Sequence, residues 1–386
     1  MRIHYLAESV IVSDDVDPVA VVRTATAMAR RGHDVVVQAP LGSGSDAEAF
    51  AYYGVPPLVR LLRHPTESAY LRPETIVAEG PAAAIARRAR RLLRERRTTA
   101  AAVRADRPDL LYVRNVLAMP WIPRDTPFVF EAHQPPPARR AVLDRAMLRR
   151  PGLRRVVTIS DALRSEYLRR FPWLEGRIVV AHDAADDPVP AGEDWRPRRR
   201  GPGEPLRVGY VGSLYPGRGG EELVAVAERL PDVRFDLVGG SEADLARLSA
   251  AGVPSNVTLH GHVPPSTLAS HYERCDVLVA PYQRSVAVHG GTGDTSRWMS
   301  PMKLFEYLSW GRPMVFSDLP VLREVLRDGE NALLVPPDDV AAWVAAIARL
   351  REDAGLSERL ATRARTDFLA HHTWDRRAAT VLAGLE

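Results

Sequence analysis

The sequence predicts two α/β domains, each built on a parallel sheet covered by helices. Short apolar segments alternate with longer segments of helical spacing, which is typical of strand–helix–strand units. This alternation stops between Asp187 and Pro205, where proline, arginine and glycine are dense, and it resumes at Leu206. The 386 residues, 46% of them hydrophobic, are enough for two cores.

Composition limits the classes of function. A formal net charge of +4 is modest, so the high pI reflects abundant arginine more than a surface for polyanions. The one cysteine, Cys275, excludes an internal disulfide and is typical of a reducing compartment. The N-terminal apolar run is too short for a signal peptide, and no apolar run reaches membrane-spanning length. We therefore expect a cytoplasmic protein.

The first half contains seven predicted strands. They are placed at 3–7, 34–39, 58–62, 109–114, 128–131, 156–160 and 178–181. A helix with closely spaced apolar residues is expected at 18–31, ending at Gly32. The turn at 8–17 contains no glycine, so this half lacks the glycine fingerprint of a dinucleotide-binding domain.

The second half repeats the same alternation. Strands are predicted at 206–211, 233–238, 257–259 and 276–280, with helices near 268 and at 340–350 and 356–368. A glycine-rich turn, 212–220, follows the first of these strands and includes Arg218. Glycines between a strand and a helix let backbone amides approach an anion, and Arg218 adds positive charge.

The segment 300–318 holds the only lysine of the chain, Lys303, whereas the other 51 of the 52 Lys and Arg residues are arginine. A tight site that requires a compact charge would accept lysine and reject the wider arginine fork. Survival of one lysine by chance is the alternative interpretation. We interpret Lys303 as a functional cation.

The residues around Lys303 predict a helix with a free N-terminus. Ser300 is placed to cap it, Pro301 suits its first turn, and Gly311 ends it. Free amides and a cation at one helix N-terminus are suited to binding phosphate. Glu306, three residues after Lys303, could accept hydrogen bonds from ribose hydroxyls or could pair with Lys303.

The stretch SPMKLFEYL at 300–308, followed by GRPMVFSDLPVLREVL at 311–326, resembles the donor-binding signature of glycosyltransferase family 4. The resemblance is nearly full length. It implies the GT-B fold, in which two Rossmann-like domains face each other and a C-terminal helix crosses back to the first. It also implies a retaining transferase that uses a nucleotide sugar as co-substrate, with no further cofactor. No metal site is predicted, because no carboxylate and histidine cluster has ligand spacing.

The resemblance also divides the chain. It implies an acceptor-binding Rossmann-like domain at 1–187, a linker at 188–205 and a nucleotide-sugar-binding domain at 206–368. The remaining segment, 369–386, is expected to form the helix that packs on the N-terminal domain. A helix that simply covers the second sheet is the alternative.

Three residues are predicted to be catalytic. The tripeptide Glu131-Ala132-His133 ends a strand, and the resemblance implies that His133 lies beside the donor sugar; a histidine that caps a turn is the alternative. Arg218 occupies the family's cationic position for the diphosphate, and Lys303 shares that role. The expected donor-binding residues are Gly212, Ser213, Gly217, Gly261, His262, Gly291, Asp294, Ser300, Pro301, Met302, Leu304 and Glu306. His262 is equally compatible with a position in solvent.

Two positions depart from the family pattern. Trp298 stands where the Glu-x7-Glu motif has its first carboxylate, so one sugar contact is missing or is supplied by Asp294 or by glycine amides. Ser213 and Leu214 occupy the position where many relatives carry an additional arginine. Ser160 resembles a residue that borders the interdomain cleft, although a plain N-cap explains it equally well.

An arginine-rich helix is predicted at 81–107. Some family members dock on anionic membranes through such a face, but a solvated helix is the alternative, since the apolar stripe is mostly alanine. We therefore predict at most a weak contact between this helix and a membrane surface. Nucleic-acid binding is not predicted, because no aromatic residues are interleaved for stacking.

The expected reaction transfers a sugar from a UDP- or GDP-linked donor to a small-molecule or glycoconjugate acceptor without a metal. The resemblance implies front-face attack, with the diphosphate stabilised by Arg218, Lys303 and a helix N-terminus. Two alternatives stay open: a non-catalytic protein that binds nucleotide sugars, and a sugar-nucleotide epimerase of similar fold. The sequence specifies neither the sugar nor the acceptor.

Overall fold

A computed structural model describes residues 1–7, 9–12, 17–40, 44–64, 81–114, 116–136, 141–201, 203–287 and 293–385. The chain forms two compact units. The first unit contains Met1–Ile159, Leu163–Ala181 and Ala378–Glu386, and the second contains Ser160–Ala162 and His182–Arg377. Within the described ranges, no helix combines the length and the apolar character needed to cross a bilayer.

The first unit is built on a seven-stranded sheet in the order β3-β2-β1-β4-β5-β6-β7, with every neighbouring pair parallel. The strands are β1 Arg2–Leu6, β2 Asp34–Pro40, β3 Arg60–His64, β4 Leu110–Val113, β5 Phe128–Ala132, β6 Leu153–Thr158 and β7 Ile178–Val180. The helices are α1 Asp17–Arg30, α2 Asp46–Tyr53, α3 Pro81–Asp106, α4 Ala141–Leu148 and α5 Asp161–Arg170.

The second unit is built on a six-stranded parallel sheet in the order β10-β9-β8-β11-β12-β13. The strands are β8 Arg207–Val211, β9 Arg234–Val238, β10 Val257–Gly261, β11 Val277–Ala280, β12 Met314–Ser317 and β13 Leu333–Val335. The helices are α6 Gly220–Glu228, α7 Glu242–Ala250, α8 Ala269–Arg274, α9 Met302–Trp310, α10 Val340–Glu352, α11 Ala354–His371 and α12 Trp374–Leu382.

The central strands of both sheets are short apolar runs. Strands β4, β5 and β11 are buried at every position, which explains why the sequence shows continuous rather than alternating apolar runs there. Hydrophobic clusters on the two faces of the second sheet include Phe305 of α9 on one side and Trp343 of α10 on the other. The sheet thus fixes the positions of the loops that follow its strands.

The predicted strands and helices are confirmed, with shifted bounds at a few ends. Strand β6 begins at Leu153 and ends at Thr158, so Ser160 lies beyond it, at the start of α5. Strand β3 lies two residues later than predicted. The helix expected near 268 is a 3₁₀ turn, Pro265–Thr267, followed by the short α8. Local sequence defines strand centres better than strand ends.

The arginine-rich helix is α3. The side chains of Arg90, Arg94 and Arg97 are exposed, whereas that of Arg96 is buried. The arginines of this helix therefore do not all face solvent. The side chains of Arg87, Arg88 and Arg91, which belong to the predicted basic face, lie outside the described residues. The predicted weak membrane contact stays a prediction.

The segment between the two sheets, 188–201, contains no helix or strand and belongs to the second unit. The indole N–H of Trp195 donates to the carbonyl of Trp310 at 3.2 Å. Gly311, which ends α9 at φ 55°, is required here, since a Cβ atom would lie 2.4 Å from the Trp195 ring. Arg198 pairs with Asp276 at 2.7 Å. These contacts hold the segment against the second unit.

The end of the chain returns to the first unit. Residues 378–386 group with that unit, and the Arg155 guanidinium donates to the carbonyls of Val381 at 2.8 Å and Ala383 at 2.7 Å. A cation at the last carbonyls of α12 satisfies acceptors that the helix leaves unpaired. The predicted start of this segment, 369, falls inside α11.

Candidate functional site

The glycine-rich turn after β8 carries three glycines with positive φ: Gly212 at 141°, Gly217 at 81° and Gly219 at 92°. A Cβ atom on Gly217 would lie 2.0 Å from the Ser285 carbonyl oxygen, and one on Gly219 would lie 2.2 Å from that of Pro281. Only glycine allows this close approach. The turn is therefore packed directly against the segment that follows β11.

Helix α9 begins without a side-chain cap, which makes the predicted capping role of Ser300 wrong. Pro301 occupies the N-cap position, and no side chain accepts a hydrogen bond there. The Ser300 hydroxyl instead accepts from the backbone N–H of Asp183 at 2.8 Å, 117 residues earlier in the chain. The Ser300 hydroxyl therefore makes a long-range hydrogen bond and does not cap the helix.

Lys303 lies on the first turn of α9, with 7% of its surface exposed. Its Nζ atom has no hydrogen-bond partner among the described residues. The nearest groups are aromatic: Nζ lies 3.6 Å from the ring centroid of Tyr210 and 5.3 Å from that of Tyr282. A Cβ atom on Gly212 would lie 2.7 Å from Nζ, so the amine is also close to the glycine-rich turn.

Burial strongly lowers the pKa of Lys303, and the nearby Arg218 guanidinium lowers it further, while Glu306 acts in the opposite direction. The carboxylate of Glu306 accepts a hydrogen bond from the Tyr272 hydroxyl at 2.7 Å. No hydrogen bond joins Glu306 to Lys303. The interpretation of Glu306 as the lysine's direct partner is therefore wrong.

Arg218, in the glycine-rich turn, is half-buried beside Tyr282. Its Nη1 donates to the Tyr282 hydroxyl at 3.5 Å, a long bond, and its guanidinium carbon lies 5.5 Å from the centroid of that ring. Its Nε atom has no hydrogen-bond partner in the described part of the chain. Two cations, Arg218 and Lys303, thus lie beside aromatic rings, and neither forms an ion pair with a carboxylate of the described residues.

Other predicted donor-binding residues line the same sheet edge or support it. The carbonyl of Ser213 accepts from the Tyr210 hydroxyl at 2.5 Å. Gly261 ends β10 at φ 71°, and its carbonyl accepts from Gly239 N–H at 2.7 Å. His262, the next residue, is exposed.

The remaining predicted donor-binding residues are less accessible. The side chains of Met302 and Leu304 are buried, and Leu304 belongs to the hydrophobic core under α9. The Asp294 carboxylate accepts from the backbone N–H groups of Val286 and Ser296, both at 2.9 Å, so it shapes its own loop. Gly291 lies outside the described residues.

Trp298, at the position of the family carboxylate, follows that loop. Its backbone carbonyl accepts from the Ser160 hydroxyl at 2.9 Å, while the N–H groups of Asp161 and Ala162 at the start of α5 donate to Glu324. The Trp298 indole nitrogen is buried and has no hydrogen-bond partner among the described residues.

The predicted catalytic histidine lies in the first unit, after β5. His133 Nε2 is 2.5 Å from Glu131 Oε1, and its Nδ1 is 3.1 Å from Arg114 Nη2. Arg114 also pairs with Asp17, and Glu131 accepts from the Tyr112 hydroxyl. This set of five residues forms a continuous polar network.

The network determines the tautomer of His133. Because an arginine N–H only donates, Nδ1 must be the acceptor, and the ring proton is therefore on Nε2, which donates to Glu131. Both ring nitrogens are engaged in this arrangement. The network thus holds the His133 ring in one orientation, with both nitrogens hydrogen-bonded within the first unit.

Sequence reasoning missed the aromatic and arginine partners. Tyr210 and Tyr282 surround the lysine, and Tyr112 and Arg114 orient the histidine. Tyr282 and Arg114 each come within two residues of the carboxyl end of a strand, which is where ligands gather in open parallel sheets. That rule, applied to every strand, could have indicated both residues. Across the described residues, no group of three or more His, Cys, Asp or Glu side chains is placed to hold a metal ion.

Solved structures share this fold along almost the whole chain. A sucrose-phosphate synthase from Thermosynechococcus elongatus gives a TM-score of 0.68 at 18% identity, over 98% of this chain and 96% of that one. The Anabaena protein Alr3699/HepE in complex with UDP-glucose gives a TM-score of 0.67 at 16% identity, and the match covers 100% of this chain and 99% of that one. At these identities the comparison shows the fold, which is the predicted GT-B arrangement of two Rossmann-like units.

Curated relatives match shorter parts. A phosphatidyl-myo-inositol mannosyltransferase of Mycolicibacterium smegmatis is 29% identical over 160 residues, 42% of this chain and 38% of the relative. A D-inositol 3-phosphate glycosyltransferase of Mycobacterium bovis is 28% identical over 294 residues, which are 68% of this chain and 58% of the relative. These matches span less than two thirds of the relatives' length.

Two family models match successive parts of the chain. Residues 19–188 match Glycosyltransferase Family 4, and residues 205–353 match Glycosyl transferases group 1. The first match falls on the unit that contains His133, and the second on the unit that contains Lys303 and Arg218. The resemblance to glycosyltransferase family 4 stated from the sequence is thereby confirmed in both units.

Proposed function

We propose that this protein is a retaining glycosyltransferase that moves a sugar from a nucleoside-diphosphate sugar to a small-molecule or glycoconjugate acceptor. One observation carries the proposal. The only lysine of the chain is buried at the carboxyl-end edge of the second sheet, beside a half-buried arginine and a glycine-rich turn, and has no hydrogen-bond partner in the part of the chain that the structure describes. Buried cations without carboxylate partners are costly in an empty site and favourable in one that receives a diphosphate.

The same groups suit the chemical step. As the bond between sugar and phosphate breaks, negative charge grows on the leaving diphosphate, and interactions that strengthen with that charge lower the barrier. Lys303 and Arg218 supply fixed positive charge, and the glycines at 212 and 217 allow backbone amides to approach phosphate oxygens. These groups would take the electrostatic role of a metal ion, so we expect activity to be unaffected by chelators.

His133 would act through its position. Because Glu131 and Arg114 engage both ring nitrogens, we assign the histidine a fixed contact with the donor sugar rather than a proton transfer. The acceptor proton would then pass to the departing phosphate in a front-face reaction. Retention is tested by the anomeric configuration of the product, determined by NMR; inversion would contradict this route.

The donor is tested first by calorimetry with UDP, GDP and their sugars. The Anabaena neighbour is in complex with UDP-glucose, which favours UDP as the first base to try. Binding is expected for one nucleoside diphosphate, and it should be lost in Lys303→Met. Undiminished binding to that variant would contradict the site assignment.

The acceptor is tested next with the donor that binds best. The names of the curated relatives make inositol phosphates and phosphatidylinositol the first acceptors to screen. Transfer to one of them, or to another alcohol, supports the proposal. Epimerisation or hydrolysis of the donor in the presence of every acceptor would favour an epimerase, and binding without turnover would favour a non-catalytic protein.

A further inference from the structure

Among the described residues, the Lys303 amine has no hydrogen-bond partner, whereas a buried ammonium group normally has an anionic one. Its neighbours are instead the ring of Tyr210 at 3.6 Å, the ring of Tyr282 at 5.3 Å and the glycine-rich turn at Gly212. The charged groups that act on it are Arg218, which opposes its charge, and Glu306, which is already bonded to Tyr272. Something other than a carboxylate must therefore hold the amine in place.

Tyr210 is fixed firmly enough to do this. It is fully buried in β8, and its hydroxyl donates to the carbonyl of Ser213 at 2.5 Å, so the ring is anchored by both the strand and the turn. A cation within about 6 Å of a ring centroid is attracted by the negative face of the ring. Of the two rings, Tyr210 is the closer to Nζ by more than 1 Å.

Gly212 completes the holder from another direction. A Cβ atom there would lie 2.6 Å from Cε and 2.7 Å from Nζ of Lys303, so any side chain at this position would displace the amine. The ring of Tyr210 and the bare backbone of Gly212 thus define where the amine lies. Neither group accepts a hydrogen bond from it.

We propose that Tyr210 is a positioning residue whose ring face holds Lys303 in the place where other proteins use a carboxylate. A carboxylate would neutralise the lysine and occupy its N–H donors, whereas a ring face stabilises the charge and leaves the donors to phosphate oxygens. This inference rests on the proposed function, since it explains how the lysine is kept available for a diphosphate.

The test replaces Tyr210 by phenylalanine and then by phenylalanines with one, two and three ring fluorines. Fluorination preserves the shape of the ring and progressively removes the negative charge of its face. Because the chain has one lysine, 13C-labelled lysine gives one side-chain signal, and its titration reports Lys303 alone. UDP affinity is measured on the same samples by calorimetry.

Tyr210→Phe is the reference for the fluorine series, because it keeps the ring face and removes only the hydroxyl that bonds to Ser213; we expect it to bind UDP still. Relative to that reference, each added fluorine should lower the pKa of Lys303 and weaken UDP binding, several-fold over the whole series. The same fluorinated residues at Phe235, a core position of β9, serve as the control and should change neither quantity.

A Lys303 titration that is constant across the fluorine series, with UDP still bound, would overturn the role of the ring. Complete loss of UDP binding already in Tyr210→Phe, with a Lys303 titration that does not change on fluorination, would assign the effect to the hydroxyl. That result would also overturn the role of the ring. If the titration follows the fluorine series but the parent binds no nucleoside diphosphate, the ring's role survives and the proposed function fails.

Discussion

Two titratable clusters of this protein, one around His133 and one around Lys303, contain similar residues but differ in how those residues are paired. Around His133, in the first unit, an arginine and a tyrosine are joined to two carboxylates, Glu131 and Asp17. Around Lys303, in the second unit, an arginine and tyrosines are present, but Glu306, the carboxylate that acts on the lysine, is bonded to Tyr272. Both clusters lie just beyond the carboxyl ends of parallel strands or face the turns that follow them.

The difference separates two uses of polar residues at a sheet edge. A buried polar network with its donors and acceptors paired keeps one geometry and contributes to stability. A buried cation without an acceptor lowers the stability of the empty protein and gains most when an anion arrives. We therefore expect changes to the partners that hold His133 to lower stability, and changes in the Lys303 cluster to lower ligand binding and turnover without lowering stability.

The largest effect is expected from Lys303→Met, which keeps the length of the side chain and removes its charge. Turnover should fall by about 10²- to 10³-fold, since one electrostatic contact to the leaving group is lost. The free energy of unfolding without ligand should rise by about 1 to 3 kcal/mol, because a buried unpaired amine is removed. Steady-state kinetics and urea denaturation measure the two quantities.

Lys303→Arg is the matched control for charge. The wider guanidinium fork does not fit between the Tyr210 ring and Gly212, so we expect no recovery of turnover. A Lys303→Met protein that is less stable than the parent and equally active would place the lysine among structural residues and end the contrast between the clusters.

The next effect concerns the close approach of Gly212 to the amine. Gly212→Ala adds a Cβ atom 2.7 Å from Nζ at φ 141°, so the lysine must move, and UDP affinity should fall by about 10- to 30-fold. Gly252→Ala provides the control, because it has positive φ, 89°, and no atom within 4 Å of the added Cβ. That variant should lose stability through backbone strain and keep its UDP affinity.

The sequence predicted the scaffold more fully than the polar contacts, for a physical reason. Buried strands are continuous apolar runs between turns, so the strands at 34–39 and 276–280 could be predicted within a residue or two. Lys303 could be identified because its residue type is unique in the chain. Both signals are local, and local signals survive without knowledge of the tertiary structure.

The partners of polar residues are not local. Ser300 does not cap α9 as predicted, because its hydroxyl accepts from the backbone N–H of Asp183. Glu306 accepts from the hydroxyl of Tyr272, 34 residues earlier. In each case a distant group offered a better hydrogen bond than the neighbour in sequence. The ring of Tyr210 was missed for the same reason, since nothing in its strand indicates that a lysine 93 residues later lies on its face.

The third prediction tests the paired cluster. Glu131→Gln replaces an acceptor that serves His133 and Tyr112 with an amide, whose NH2 group faces donors, and removes the charge beside Arg114. We expect the free energy of unfolding to fall by about 1 to 3 kcal/mol, while UDP affinity is retained. Asp232→Asn is the control, since its ion pair with Arg351 is exposed and should contribute less than about 1 kcal/mol.

The smallest effect is the pH dependence of donor binding. In the empty site the pKa of Lys303 is lowered by burial, so the amine loses its proton at lower pH than an exposed lysine does, and a bound diphosphate favours the protonated form. Binding therefore takes up a proton at pH values between the pKa of Lys303 without ligand and its pKa with bound diphosphate. UDP affinity should fall as pH rises, by at most about tenfold per pH unit.

Measurements above pH 7.5 avoid the phosphate's own titration near pH 6. Calorimetry in buffers of different ionisation enthalpy should detect the proton in the parent and lose the lysine's contribution in Lys303→Met. A pH-independent affinity in the parent would mean that Lys303 stays charged in the empty site, and the contrast between the two clusters would then rest on pairing alone.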